Sequence, residues 1–167
     1  ASLAPDDRRV AQIRRLMDYT QVSSEATESA PPPNQLLQAE AVTMMPYGNH
    51  FLVDTKLNEQ TVNLMIDTGA STTAISQRVL IRLMRDDDNV AFVGRYQVNT
   101  AGGRITARVY QVSKLSLGRK TVEDVAVLVL PGANLEPAEG LLGMNVLSKF
   151  DFHMDQQQSV LYLRDRP

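Results

Sequence analysis

The stretch Leu64-Met65-Ile66-Asp67-Thr68-Gly69-Ala70-Ser71 constrains this chain more than any other. An apolar run delivers one carboxylate, and small and hydroxyl-bearing residues follow at once. A strand that ends this way presents Asp67 at a tight loop whose backbone must approach the carboxylate closely. Gly69 lets the loop turn without a Cβ in the way. Thr68 and Ser71 bring hydroxyls able to hydrogen-bond a carboxylate or one another. An Asp held like this suits chemistry in which two carboxylates share one proton. Only one such motif occurs in the 167 residues, and there is no internal repeat, so a pair of carboxylates requires two chains.

The rest of the chain divides by texture. Pro5-Asp6-Asp7 resembles a helix start, with acidic residues where the helix dipole favours them. Val10, Ile13, Leu16 and Met17 recur at helical spacing, with Arg8, Arg9, Arg14 and Arg15 on the other sides. Ser23 to Pro33 has no apolar period and ends in Pro31-Pro32-Pro33, which reads as a linker. The boundary falls near Asn34–Glu40, giving an arm of residues 1–40 and a domain of residues 41–167.

From about residue 41 short β runs alternate with turns. His50–Leu57 and Thr61–Ile66 form a hairpin around Asn58-Glu59-Gln60. Thr72–Ile75 is a brief strand after the Asp loop. Ser76 then caps a helix over Gln77–Arg85, whose apolar stripe is Val79, Leu80, Leu83 and Met84. Asp86-Asp87-Asp88-Asn89 ends that helix. It lacks the Gly and the downstream Glu of an EF-hand loop and reads as a solvated end. Val90–Thr100 and Arg104–Lys114 bracket Ala101-Gly102-Gly103 as a second hairpin. Gly118-Arg119-Lys120 turns into Val122–Leu130, and Pro131–Glu139 is a loop. Leu141-Leu142-Gly143 is a very short strand, followed by a helical turn over Met144–Ser148. Phe150–Met154 and Val160–Leu163 close the chain as a hairpin. The fold class is all-β with one or two short helices.

Three of these segments, in order, resemble the retropepsin-like aspartic proteases, especially their bacterial single-domain branch. They are Met65 to Ser71, then Val98-Asn99-Thr100-Ala101-Gly102-Gly103-Arg104, then Gly140-Leu141-Leu142-Gly143-Met144-Asn145-Val146-Leu147. The resemblance covers Val42 to Leu163 and leaves the arm outside. It implies a homodimer in which the Asp67 of each chain joins a dyad. One carboxylate acts as general base on a water, and the other protonates the scissile carbonyl of an extended peptide. It implies that Thr68 bonds across the dyad, that Gly69 lends a backbone N–H to the carboxylate, and that Ser71 supports the outer oxygen. Ala70 is expected to leave room for substrate, and Gly143 to let Leu141 and Leu142 pack against the loop. Thr100, Ala101, Gly102, Gly103 and Arg104 are expected to form a flap that closes over the peptide.

Other readings follow from the bulk properties. A formal charge of −2 gives no reason to expect nucleic acid as a partner. No apolar run approaches a membrane span, Val125–Leu130 being the longest, and no signal segment opens the chain. The first residue is Ala, which is compatible with a processed or trimmed form, and the sequence does not show whether a signal or anchor was removed. Lack of cysteine removes disulfides, thiolate metal sites and a cysteine nucleophile. No metal or cofactor is expected. His153, Asp151 and Asp155 alternate on one strand face, read as a solvated face rather than a metal site. The bacterial relatives suggest a periplasmic or membrane-anchored location, with a cytoplasmic one as the alternative. The rival function is a non-catalytic peptide-binding or dimerisation module on the same fold. A third reading has the Asp6–Tyr19 helix covering the cleft or docking substrate.

Overall fold

The computed structural model describes residues 33–86, 89–100, 103–130 and 136–166. The expected N-terminal helix, most of the linker, Asp87 and Asp88, the hairpin tip Ala101-Gly102 and the first part of the Pro131–Glu139 loop lie outside them.

In chain order the elements are α1 (Pro33–Leu36), β1 (Glu40–Thr43), β2 (Met45–Tyr47), β3 (His50–Leu57), β4 (Gln60–Ile66), β5 (Thr73–Ser76) and α2 (Gln77–Asp86). There follow β6 (Val90–Thr100), β7 (Gly103–Leu117), β8 (Lys120–Leu130), β9 (Gly140–Leu142), α3 (Met144–Leu147), β10 (Phe150–Asp155) and β11 (Val160–Asp165). Strands dominate, and the fold is all-β.

Eight strands form one sheet in the order β2-β3-β4-β9-β5-β8-β7-β6, and β7 also pairs back onto β3 through Lys56↔Ser116 and Leu57↔Leu115. That second pairing closes β3, β4, β9, β5, β8 and β7 into a barrel, leaving β2 and β6 as edges. Asn58 secures the closure. It sits at φ 52°, its N–H donates to the Lys114 carbonyl at 2.9 Å, and its Oδ1 accepts the Lys114 N–H at 3.2 Å. Asn tolerates this left-handed conformation better than most residues. A second sheet, β1-β11-β10, joins both ends of the domain.

Strand alternation explains the packing. Leu64 and Ile66 of β4, Ile75 of β5, Val127 and Val129 of β8, and Leu142 of β9 enter the larger core cluster. Their neighbours Met65, Ala74, Leu128, Leu130 and Leu141 point the other way into a smaller cluster with Leu52, Ala70, Ala107 and Val109. The central strands are therefore buried on both faces, which is why β8 reads as an almost unbroken apolar run. Val42, Phe150, Leu161 and Leu163 of the second sheet cap the larger cluster.

Several expectations are revised in detail. The α2 stripe is Val79, Leu80 and Leu83; Met84 is 52% exposed. At about 100° per residue, Met84 falls outside the arc that the other three span. Pro33–Leu36, in the segment read as linker and boundary, makes one helical turn in which the Leu37 N–H donates to the Pro33 carbonyl at 3.3 Å. Proline suits a first helical turn because its missing N–H would be unpaired there anyway. Thr72 remains in the loop, since β5 starts at Thr73, and Gly143 lies just beyond β9. The short strands β1 and β2 carry too little alternation to be separated in the sequence, and Pro46 masks β2.

Candidate active site

β4 carries Leu64, Met65 and Ile66 into the interior and ends just before Asp67, which is only 5% exposed. The loop folds back on that carboxylate. The Gly69 N–H donates to Asp67 Oδ1 at 2.9 Å, and the Ala70 N–H donates to the Asp67 carbonyl at 3.1 Å. The Asp67 N–H donates to the Leu142 carbonyl at 3.0 Å. Side-chain-to-backbone bonds of this kind let Asp organise a tight turn.

β9 is what holds the loop. It lies parallel to β4, with Met65↔Leu141 and Ile66↔Leu142, and antiparallel to β5, with Ala74↔Leu141 and Ile75↔Gly140. The strands entering and leaving the Asp loop are thus separated by a third strand, and the loop must cross its end. Two glycines permit this insertion. A Cβ on Gly140 would lie 2.1 Å from the Ala74 carbonyl oxygen, and one on Gly143 would lie 2.6 Å from the Thr72 carbonyl carbon. The chain after Gly143 grips the loop from below. The Met144 N–H donates to the Ala70 carbonyl at 2.7 Å, and the Asn145 N–H donates to the Ser71 carbonyl at 3.1 Å.

Just before β9, Glu139 extends the ladder in both directions. Its N–H donates to the Asn63 carbonyl at 2.7 Å, and its carbonyl accepts the Ser76 N–H at 3.0 Å. Its carboxylate accepts the Asn63 N–H at 2.9 Å and Arg82 Nη1 at 2.9 Å. Burial alone pushes this carboxyl up. The hydrogen bonds from Arg82 and Asn63, with the charges of Arg82 and Arg78, outweigh it and hold the group below its ordinary value.

The loop opens on a groove of about 390 Å³ lined by Ser71 and Thr72, by Val93, Tyr96, Gln97 and Val98 of β6, and by Val109, Ala126 and Leu128. The lining is mainly apolar, with hydroxyls on the loop side. The β6–β7 hairpin, paired down to Thr100↔Gly103, supplies the opposite wall.

The expected site residues fall into place unevenly. Asp67 to Ser71 form one loop, with Leu141 and Leu142 buried directly behind it. Thr68 and Gly69 are exposed at its crown, and Ser71 is exposed on the groove. Ala70 is fully buried in the smaller core cluster and packs beneath the loop. Its backbone is drawn inward by the bond from Met144, which turns the methyl to the core. Of the flap residues, Thr100, Gly103 and Arg104 belong to the hairpin strands.

His153 stacks on Tyr162 with ring centroids 6.4 Å apart. Asp151 pairs with Arg164 at 3.2 Å, and Asp155 accepts the N–H groups of Gln157 and Gln158. Each member of that strand face is therefore engaged locally.

Several contributors are not singled out in the sequence as site residues. These are Val93, Tyr96 and Gln97 of β6, Ala126 and Leu128 of β8, Glu139 and Thr73, together with Val98 and Asn145, which lie in the resembling segments without an assigned role. The one sequence signal for Asn145 is a lone amide in an otherwise apolar or glycine run from Gly140 to Leu147.

Comparison with known proteins agrees with this geometry. The family described as "gag-polyprotein putative aspartyl protease" matches residues 53–149, from β3 to just beyond α3. A crystal structure of a retropepsin-like aspartic protease from Rickettsia conorii superposes with a TM-score of 0.56 at 25% identity, covering 75% of this chain and 92% of that one. An uncharacterized protein in the cobV 5′ region of a Sinorhizobium species is 27% identical over 128 residues, 77% of this chain. The chain spans about half of that relative's length, 53%. The chain belongs to the retropepsin-like aspartyl protease family.

Proposed function

We propose that the protein is an aspartic endopeptidase in which the Asp67 of two identical chains forms one catalytic dyad. The observation that carries this reading is a buried Asp67 whose Oδ1 accepts the Gly69 N–H at 2.9 Å, on a loop that opens directly onto an apolar groove. An Asp serving only as a turn residue has no need of such a groove beside it. In the dyad, repulsion between two close carboxylates retains one proton between them. The ionised member takes a proton from water as it attacks the scissile carbonyl, and the protonated member donates to the carbonyl oxygen. The tetrahedral adduct then collapses: its C–N bond breaks, the carboxyl that took the proton from water gives it to the departing amine, and the other recovers its proton from the adduct's hydroxyl, leaving two peptides with water as the sole co-reactant.

The substrate class is an extended peptide with apolar side chains. The groove is the right shape for one, with hairpin backbone on one side and loop hydroxyls on the other. By resemblance to the bacterial relatives, the proposal includes a periplasm-facing location, which fractionation of the intact cell product would test. No helix among the described residues is long and apolar enough to cross a membrane.

The decisive experiment is Asp67→Asn. Cleavage of a fluorogenic apolar peptide should fall by about a thousandfold or more, the scale of lost acid–base catalysis. The thermal midpoint should stay close to that of the wild type. A folded Asp67→Asn protein with near-normal turnover would falsify the mechanism.

A further inference from the structure

We propose that Asn145 is a positioning residue that ties the loop wall of the groove to its strand wall. Asn145 Oδ1 accepts both the Thr73 N–H and the Thr73 hydroxyl, each at 2.8 Å. Its Nδ2 donates to the Ala126 carbonyl in β8 at 2.9 Å. Its own N–H donates to the Ser71 carbonyl at 3.1 Å. The Thr73 hydroxyl in turn accepts the Gly143 N–H at 3.1 Å. One short side chain on α3 therefore bonds to the exit of the Asp loop and to β8 at once.

The bonded segments are also the groove. Ser71, Thr72 and Ala126 line it, and Thr72 lies between the Ser71 carbonyl and the Thr73 amide that Asn145 holds. Thr73 is fully buried, so its N–H and hydroxyl have no water to turn to if Asn145 is lost. The chemistry selects an amide. Both sides of the contact need different polarity, an acceptor toward Thr73 and a donor toward Ala126. An ionised Asp supplies only acceptors and would set a charge against the Ala126 carbonyl. A side chain one carbon longer would displace one wall from the other.

Asn145 touches neither the reacting carboxylate nor the position of the scissile bond. Its effect is therefore on how firmly the groove accepts a peptide, and it rests on the peptide-cleft reading only in its kinetic consequence. Loss of a groove wall that contacts ground state and transition state alike raises KM and leaves kcat nearly unchanged.

The test uses the full chain as wild type, Asn145→Ala, Asn145→Asp and Thr73→Ser, with two readouts. Amide hydrogen exchange follows the Met144 and Asn145 N–H groups, which bond the loop, against the β10–β11 ladder as a reference for global opening. Peptide cleavage gives KM and kcat separately. In Asn145→Ala, exchange at Met144 and Asn145 should quicken by about tenfold over the reference, and KM should rise by about tenfold with kcat within about twofold. Asn145→Asp should behave likewise at neutral pH. It should recover in acid, where its protonated carboxyl can again donate to Ala126. Thr73→Ser keeps the hydroxyl and should retain slow exchange at the Met144 and Asn145 N–H groups.

Equal acceleration at all amides would show that Asn145 only stabilises the fold and would overturn the proposal. So would unchanged local exchange, or a fall in kcat with KM intact. If Asn145→Ala does not fold, the pH shift of Asn145→Asp makes and breaks the same contact within one chain. If the wild type cleaves no peptide, the protease reading fails, and the exchange measurements alone decide the role of Asn145.

Discussion

Arg82 of α2 donates from both terminal nitrogens to Glu139, Nη1 to Oε1 at 2.9 Å and Nη2 to Oε2 at 3.4 Å. Nη2 also donates to the Thr61 carbonyl at 3.0 Å. This fork fastens the start of β9, the strand that holds the Asp loop from behind, to β4 and to α2.

A pH-dependent contribution to stability follows. The folded-state carboxyl of Glu139 lies below its ordinary value. The unfolded chain therefore takes up this proton first as pH falls. The contribution is fully present above about pH 5, beyond the ordinary Glu range, and is lost as pH drops through the folded value. Glu139→Gln should cost about 1 kcal/mol at pH 7, the pair being partly exposed and screened. The difference should vanish in acid. Urea midpoints of both proteins from pH 7 to 3 would check this, and a constant gap across that range would refute it.

The close approach of β9 to the loop predicts sensitivity to one methyl group. Gly140→Ala and Gly143→Ala each place a Cβ against backbone, which cannot swing aside as a side chain can. Each should destabilise by about 3 kcal/mol, at the upper end of overpacking costs. Denaturant midpoints report this. A loss below about 1 kcal/mol would mean that β9 shifts freely between β4 and β5.

Assembly should be visible in kinetics. With one Asp-Thr-Gly motif per chain, specific activity should fall on dilution, approaching second order in protein at low concentration. Sedimentation run beside the assay measures the species present. Full activity in a monomer would sink the dyad.

Truncation should separate arm from domain. β1 pairs with β11 through Glu40↔Leu163 to Thr43↔Val160. Removing residues 1–32 should leave a cooperative unfolding transition and intact cleavage of a short peptide. Extending the deletion through Thr43 exposes Leu161 and Leu163 and removes Val42 from the core. It should cost about 2 kcal/mol or more by lost burial alone. Calorimetry of the two truncations would decide, and equal midpoints would show that β1 adds nothing.

Much of this protein was determined by the sequence acting locally. An apolar strand that stops at Asp67, glycine where the loop must turn, and the hairpin of β3 with β4 are all effects between residues a few positions apart. The cap of α2 is another, with the Val79 N–H donating to Ser76 Oγ at 3.3 Å. Period and turn chemistry suffice to read such features. Only the tertiary structure decided that β9 would lie between β4 and β5, that Asn145 would face Thr73 across 72 positions, and that Glu139 would bond Asn63 across 76. Those contacts depend on the closure of the barrel and on which strand fills the gap beneath the loop. A three-residue strand carries no register of its own. Register came from the fit of Gly140 and Gly143 against backbone, and from burial of Leu141 and Leu142 on opposite faces of the sheet.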